Sequence, residues 1–361
     1  MSFGATKREW SKLYSFFRLL GDGKIYAGSA EMQKDETKCL PIAMIQREEH
    51  DGTRLYIVKN GSVEIKGEKI NKIIPRAKFA EIALIIFQAL KNTSDNEVES
   101  PDGVEEFLDE IQIFDLQAKT EDRTDYYIAF YSIDAPLIGM SVFSRIGGVL
   151  SLLDGGRTAN LKFELIGIKF ATPTINKINA IESPNEVIDR MLMIERLGGA
   201  LKYVDIADKV FRCNLQMIDL HFPRLMAEML RIMYLDGITK ISDLTGKIKE
   251  INPLKIKDEL INKHHFYEYK VKQFLIALAL GMRSAKIYNG TESFVSGFIM
   301  VNSDGELLCY QKSDRNVFEN FLYQNTRLEK SSTEKDKYGY LERENGVYYF
   351  KLNLKISLLK R

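Results

Sequence analysis

Apolar positions in this chain recur with two spacings, one near 3.6 residues and one of two, and the changes between them mark out elements. Over residues 5–20, Trp10, Leu13, Tyr14, Phe17 and Leu20 fall on one helical stripe, which Gly21-Asp22-Gly23 ends. Residues 41–48 and 55–58 read as strands around a turn at Asp51-Gly52, and Asn60-Gly61 is a tight hairpin turn into 62–65. Residues 78–90 form a strongly apolar core helix. Residues 92–103, with Asn, Ser, Pro, Gly and acidic residues, read as a linker before a helix at 104–111.

A strand then covers 125–131, a turn 132–137 holds Pro136, and a second strand covers 138–146. A bend with Gly147, Gly148, Gly155 and Gly156 leads to a third strand at 160–170. Residues 183–235 are helical with a break at Gly198-Gly199; Met191, Met193, Met217, Met226, Met229 and Met233 fill core there, and Pro223 opens a helix. An apolar helix at 271–282 follows. Strands at 294–301 and 306–311 flank a turn at 302–305, a short helix lies at 318–322, and strands at 338–343 and 347–356 flank Glu344-Asn345-Gly346. Residues 325–337 read as a loop. This mixture predicts an α/β protein in four regions: 1–95, 96–180, 181–290 and 291–361.

The hairpin at 125–146 makes a geometric prediction. A turn centred near Ala135 sets Asp125 opposite Arg145, within two positions. Alternation then puts Asp125, Tyr127 and Ala129 on one face with Ser141, Phe143 and Arg145. A carboxylate thus opens one central strand beside the middle of the next. Magnesium takes oxygen ligands, commonly one or two carboxylates plus a substrate phosphate, and a nearby cation helps offset charge in phosphoryl displacement. The layout resembles the metal site of PD-(D/E)XK nucleases, where an acid and a lysine two apart face the opening Asp.

Several blocks in order resemble the HpaII-type type II restriction endonucleases: EWSKLYSFFRLLGDGKIYA, LQAKTEDRTD, IGMSVFSRIGG, SLLDGGRTANLKFEL, KQFLIALALGM, ESFVSGFIMVNSDGELLCYQ, DRNVFENFLYQNTRLE and YGYLERENGVYYFKLNLKI. The resemblance covers most of the chain. It implies a PD-(D/E)XK-like mixed central sheet flanked by helices, with additional helical and hairpin segments. It implies Mg²⁺-dependent hydrolysis of double-stranded DNA at a short site, a possible homodimer, and a cognate DNA methyltransferase in the same system. Asp125 carries over as metal ligand, and Glu9 on the first helix as a second one or as an ordinary helix-start glutamate. The family lysine falls on Phe143, which neither binds metal nor carries charge, and Ser141 stands two before it. Arg145, or Lys162 with Glu164 beside it, are the candidates to supply the cation; a DNA-binding protein that has lost cleavage is the rival reading. An arginine cannot act as a base.

Composition narrows the picture further. The net charge is +1, so a DNA surface must be a local basic patch, not a general excess. Arg157 and Asn160, by the glycine-rich bend, are residue types that read bases or phosphates; the glycines alone also explain a tight bend. No Gly-x-x-x-x-Gly-Lys-Ser/Thr is present, so the bend is not a nucleotide loop. Arg327 and Lys330 in the late loop are candidate phosphate contacts or a solvated surface. Lys247, Lys249, Lys255 and Lys257 read as an exposed face, and His264-His265 lack the companions of a zinc site. Three separated cysteines, Cys39, Cys213 and Cys309, suggest reduced thiols and a cytoplasmic location. No membrane partner is expected, since no apolar run is long enough to cross a bilayer.

Overall fold

The computed structural model describes residues 4–118, 124–147, 151–290 and 295–359. Helix α1 (Lys7–Asp22) begins at a capping box. Thr6 Oγ1 accepts the Glu9 N–H at 3.3 Å, and the Glu9 carboxylate accepts the Thr6 N–H at 2.8 Å. The helix ends at Gly23, whose φ of 60° lies in the left-handed region and where a Cβ would strike the Arg76 guanidinium. The apolar stripe turns out wider than expected. Trp10, Leu13, Phe16, Phe17, Leu19 and Leu20 are buried, and so are Ser11 and Ser15. Phe16 meets Tyr56 and Tyr126, with ring centroids 4.8 and 5.9 Å away. Phe17 meets Phe79 of α2 (Arg76–Asn92) and Phe107 of α3 (Val104–Glu110), at 5.6 and 5.5 Å. Each such ring contributes about 2–3 kcal/mol through burial.

The chain divides into two compact units, residues 1–150 with 292–321 and residues 151–291 with 322–359. In the first, six strands pair around a closed ring: β1 (Lys24–Gly28), β2 (Lys34–Glu49), β3 (Tyr126–Phe130), β4 (Ile138–Ser144), β5 (Val295–Val301) and β6 (Leu307–Gln311). Around the ring the strands follow in chain order, and the last, β6, closes on the first, β1. The β4–β5 and β6–β1 pairs are parallel and the other four antiparallel. The expected mixed sheet is therefore present, but it curls into a barrel-like closure. The cause is β2. Its first half pairs β1, its second half pairs β3 and Gly52–Val58, and the register shifts between Ile42 and Met44. A long strand with a bend can serve two directions, and closure removes open edges. Residues 34–40 were too polar to announce themselves as its first half. Strands Gly52–Val58, Ser62–Lys66 and Asn71–Pro75 extend the sheet outward from β2.

The second unit holds a four-stranded antiparallel sheet in the order Ala200–Ile206, Asn160–Ile166, Val347–Asn353, Leu341–Glu344. It also holds a three-stranded sheet of Ser151–Leu153, Lys355–Leu358 and Thr326–Glu329. Four sequence expectations change here. The 160–170 strand belongs to this sheet, not to the sheet of β3 and β4. The 183–235 stretch contains the strand Ala200–Ile206, and the 325–337 loop contains a strand and a short helix, Thr333–Asp336. The 92–103 linker contains Glu97–Glu99, paired with Gly4–Thr6. For Glu97–Glu99 and Thr326–Glu329, pairing with a distant strand overrode a short, polar local sequence. Gly148 lies outside the described residues.

At the end of β2 and the turn after it lies a buried ionic cluster. Arg47 grips Glu49 through two contacts of 2.6 Å and donates to Asp115 O at 2.9 Å. Arg54, fully buried, pairs with Asp51 at 2.8 Å and donates to Ile111 O and Gln112 O at 3.0 and 2.9 Å. Both arginines therefore tie down residues 111–115, the segment that leads to Gln117.

Candidate active site

The β3–β4 hairpin sets the site. Tyr126 pairs with Met140, Tyr127 with Gly139 and Ile128 with Ile138. Asp125 therefore lies across from Ser141, four residues from the expected register. The turn closes earlier than Pro136 suggested, because Tyr131 adopts a left-handed φ of 66° and the Ala135 N–H bonds Ser132 O at 3.1 Å. The shift is an even number of residues, so the faces survive: Asp125, Ser141 and Phe143 still share one side.

Asp125 is buried, with 7% of its surface exposed. Its N–H donates to Met140 O at 2.8 Å, and the Val142 N–H donates to its Oδ2 at 2.7 Å. The backbone thus fixes the carboxylate at the mouth of the hairpin. Its other oxygen, Oδ1, lies 2.7 Å from Lys12 Nζ. The positive partner comes from α1, not from the neighbouring strands.

Lys12 also donates to Gln117 Oε1 at 2.9 Å, and Gln117 Nε2 donates to Glu9 Oε1 at 3.0 Å. Glu9 and Lys12 are three apart on one helix and so share a face. Gln117 bridges them, and Glu9, Gln117, Lys12 and Asp125 form one connected polar row. Burial pushes the Glu9 carboxyl up, but hydrogen bonds from Thr6 and Gln117, with the Lys12 charge, outweigh it and hold Glu9 below its usual value. Glu9 therefore caps the helix and is also linked, through Gln117 and Lys12, to Asp125.

The remaining candidates fall elsewhere. Phe143 is nearly buried, and its ring stands edge-on to Phe298 at 5.1 Å, in a cluster with Tyr310, Phe318 and Phe321. Arg145 leaves β4 toward Met32, whose sulfur lies 2.8 Å from Nη2. Lys162 pairs with Glu344 and lies over the Tyr349 ring at 4.1 Å, in the second unit, where Glu164 registers with Tyr349 and Lys202. None of Asp125's described contacts involves Arg145, Lys162 or Glu164.

Arg157 is exposed in the short turn Arg157–Ala159, and Lys330 is exposed with Nζ 3.3 Å from Asn185 Oδ1. Arg327 is paired with Glu329, Nε to Oε1 at 2.9 Å. Asn160 is buried; it donates to Asp336 O at 2.8 Å and accepts from Asn353 Nδ2 at 2.7 Å. Its amide locks the second unit together and has no free edge for a base.

Among the described residues, no group of three or more His, Cys, Asp or Glu side chains gathers to hold a metal. The donor set fits an ion that takes few protein ligands. Magnesium is commonly bound by one or two carboxylates, keeping waters and taking phosphate oxygens. Asp125 is a carboxylate of that kind, and Glu9, whose oxygens accept from Thr6 and Gln117, is joined to it through Gln117 and Lys12. A cavity of about 640 Å³ elsewhere in the first unit, bordered by Arg18, Lys24, Lys34, Asp22, Asp304 and Glu306, includes neither Asp125 nor Lys12.

A family model described as HpaII restriction endonuclease matches residues 6–358. The type II restriction enzyme HpaII of Haemophilus parainfluenzae is 32% identical over 364 residues, covering 99% of each chain. No solved structure matches. The chain belongs to the HpaII restriction endonuclease family, and so to the type II site-specific endonucleases. No helix among the described residues is long and apolar enough to cross a membrane.

Proposed function

We propose that this protein cuts double-stranded DNA at a short site by Mg²⁺-dependent hydrolysis on a PD-(D/E)XK-like hairpin, with Asp125 as the central metal ligand and Glu9 assisting. The observation that carries this is Asp125, buried at the opening of β3, its backbone N–H bonded to Met140 O, its carboxylate held by the Val142 N–H and paired with a lysine at 2.7 Å. A bound Mg²⁺ supplies Lewis-acid charge and a more acidic water. In the reaction, a water oxygen bonds to phosphorus as the bond from phosphorus to the leaving oxygen breaks. The water gives up a proton to solvent and the leaving oxygen gains one. Asp125 orients the ion and phosphate, and the rigid hairpin holds that orientation without reorganising.

Arg157 and Lys330, exposed on the second unit, suit phosphate contacts that position a duplex; Arg327 joins them only by releasing Glu329. A homodimer suits a palindromic site. A partner methyltransferase and a cytoplasmic location accord with the family. Phe143 in the lysine position favours the rival reading, a DNA-binding protein without cleavage. Digesting unmethylated genomic DNA with Mg²⁺ and sequencing the fragment ends separates the two. One short sequence shared by the ends supports cleavage; intact DNA under Mg²⁺ and Mn²⁺ alike, with binding retained, supports the rival.

A further inference from the structure

We propose that Lys12, delivered from helix α1, is the catalytic cation of this enzyme and does the task that the family resemblance gives to a lysine at the position of Phe143. The proposal rests on the nuclease reading above. Three observations carry it.

The first is position. Lys12 Nζ lies 2.7 Å from Asp125 Oδ1, so any phosphoryl oxygen held at that carboxylate lies within reach of the ammonium. The second is preorganisation. A lysine side chain normally keeps much rotamer freedom, but this one is only 14% exposed and is held by Asp125 and by Gln117 Oε1 at 2.9 Å. Gln117 is itself held by Glu9, and its segment is anchored by Arg47 and Arg54 at residues 111–115. The third is the vacancy on the strand. Phe143 packs on Phe298 and brings no charge, while Arg145 points to Met32 and Lys162 is engaged with Glu344. A charge that stabilises the pentacovalent phosphorus can come from any element that reaches it, because the requirement is for position, not for chain order.

Lys12 is then a catalytic residue, touching the phosphate, and Gln117 a positioning residue, acting through Lys12. The charge is needed, so Lys12→Met should lose it and Lys12→Arg should keep part of it.

The test uses the full-length protein on supercoiled plasmid carrying the mapped site, beside two measurements that need no metal: DNA binding by anisotropy in EDTA and thermal melting. For Lys12→Met, cleavage should fall 10²–10³-fold while binding in EDTA stays within threefold. Lys12→Arg should cleave at least tenfold faster than Lys12→Met. Gln117→Leu should lower kcat about tenfold with KM little changed, and it answers the question should Lys12→Met melt too low to assay. Lys12→Met cleaving within threefold of wild type overturns the proposal. So does equal loss in Lys12→Met and Lys12→Arg with binding intact, since that marks a structural strut. A wild-type protein that never cleaves sinks the nuclease reading instead, and the two failures are distinct.

Discussion

Arg54→Met probes the support beneath the site. The change keeps the aliphatic stem and removes the guanidinium from a position with no exposure to water. Asp51, whose side chain is 2% exposed, loses its 2.8 Å partner, and Ile111 O and Gln112 O lose their donors. Removing one member of a buried pair costs about 3–5 kcal/mol, because the remaining charge stays desolvated. For a unit of this size each kcal/mol lowers the melting temperature by about 2–4 °C, which gives a drop of roughly 6–20 °C. Urea unfolding followed by tryptophan fluorescence reads it directly, since the single tryptophan, Trp10, is buried in the same core. The pH dependence adds a signature. The hydrogen bond from Arg54 holds the Asp51 carboxyl below its usual value. Its stabilisation is thus complete above about pH 4 and disappears as pH falls through the lowered value; the variant should lack that acid limb. A loss below about 1 kcal/mol would refute the reasoning, because the cluster would then be behaving like a surface pair.

Other outcomes follow from the same contacts. Glu9→Ala removes a capping box and a lowered carboxyl. It should cost about 1 kcal/mol at neutral pH, and the cost should shrink as pH falls through the folded value of Glu9, which urea titrations across pH would record. Phe143→Leu should leave cleavage within about threefold and cost under about 1.5 kcal/mol, since the ring only packs on Phe298; plasmid cleavage beside melting checks both. Asn353→Ala removes the donor to Gly156 O and Asn160 Oδ1 and the acceptor of Ser331 inside the second unit. It should cost about 2–4 kcal/mol, seen by denaturation, as buried partners go unpaired.

What the sequence revealed and what it hid have physical reasons. The helices of the first unit and the β3–β4 hairpin were legible because their apolar periods are local. The closure of the ring was not, because β5 and β6 return only after residues 151–291 of the second unit. The position of Asp125 at a strand start was readable, since it depends on the strand alone. Its cation was sought on neighbouring strands, where alternation makes side chains easy to place. Lys12 comes from α1, more than a hundred residues earlier in the chain, and no period within the hairpin points to it. One signal was present: α1 is apolar around most of its circumference, yet Glu9 and Lys12 stand three apart on it. Polar residues inside a buried helix need partners. Asn160 misled in the opposite direction, because its residue type suits base reading while its buried amide ties strands together.

The central claim is that the Asp125 carboxylate is the anchor for the metal-dependent cut. Its most direct measurement compares wild type with Asp125→Asn on supercoiled plasmid, with DNA binding followed in EDTA. The account predicts efficient linearisation by the wild type with Mg²⁺, a loss of at least about 10³-fold in the variant, and binding unchanged within threefold. Cleavage by Asp125→Asn within tenfold of wild type would contradict it.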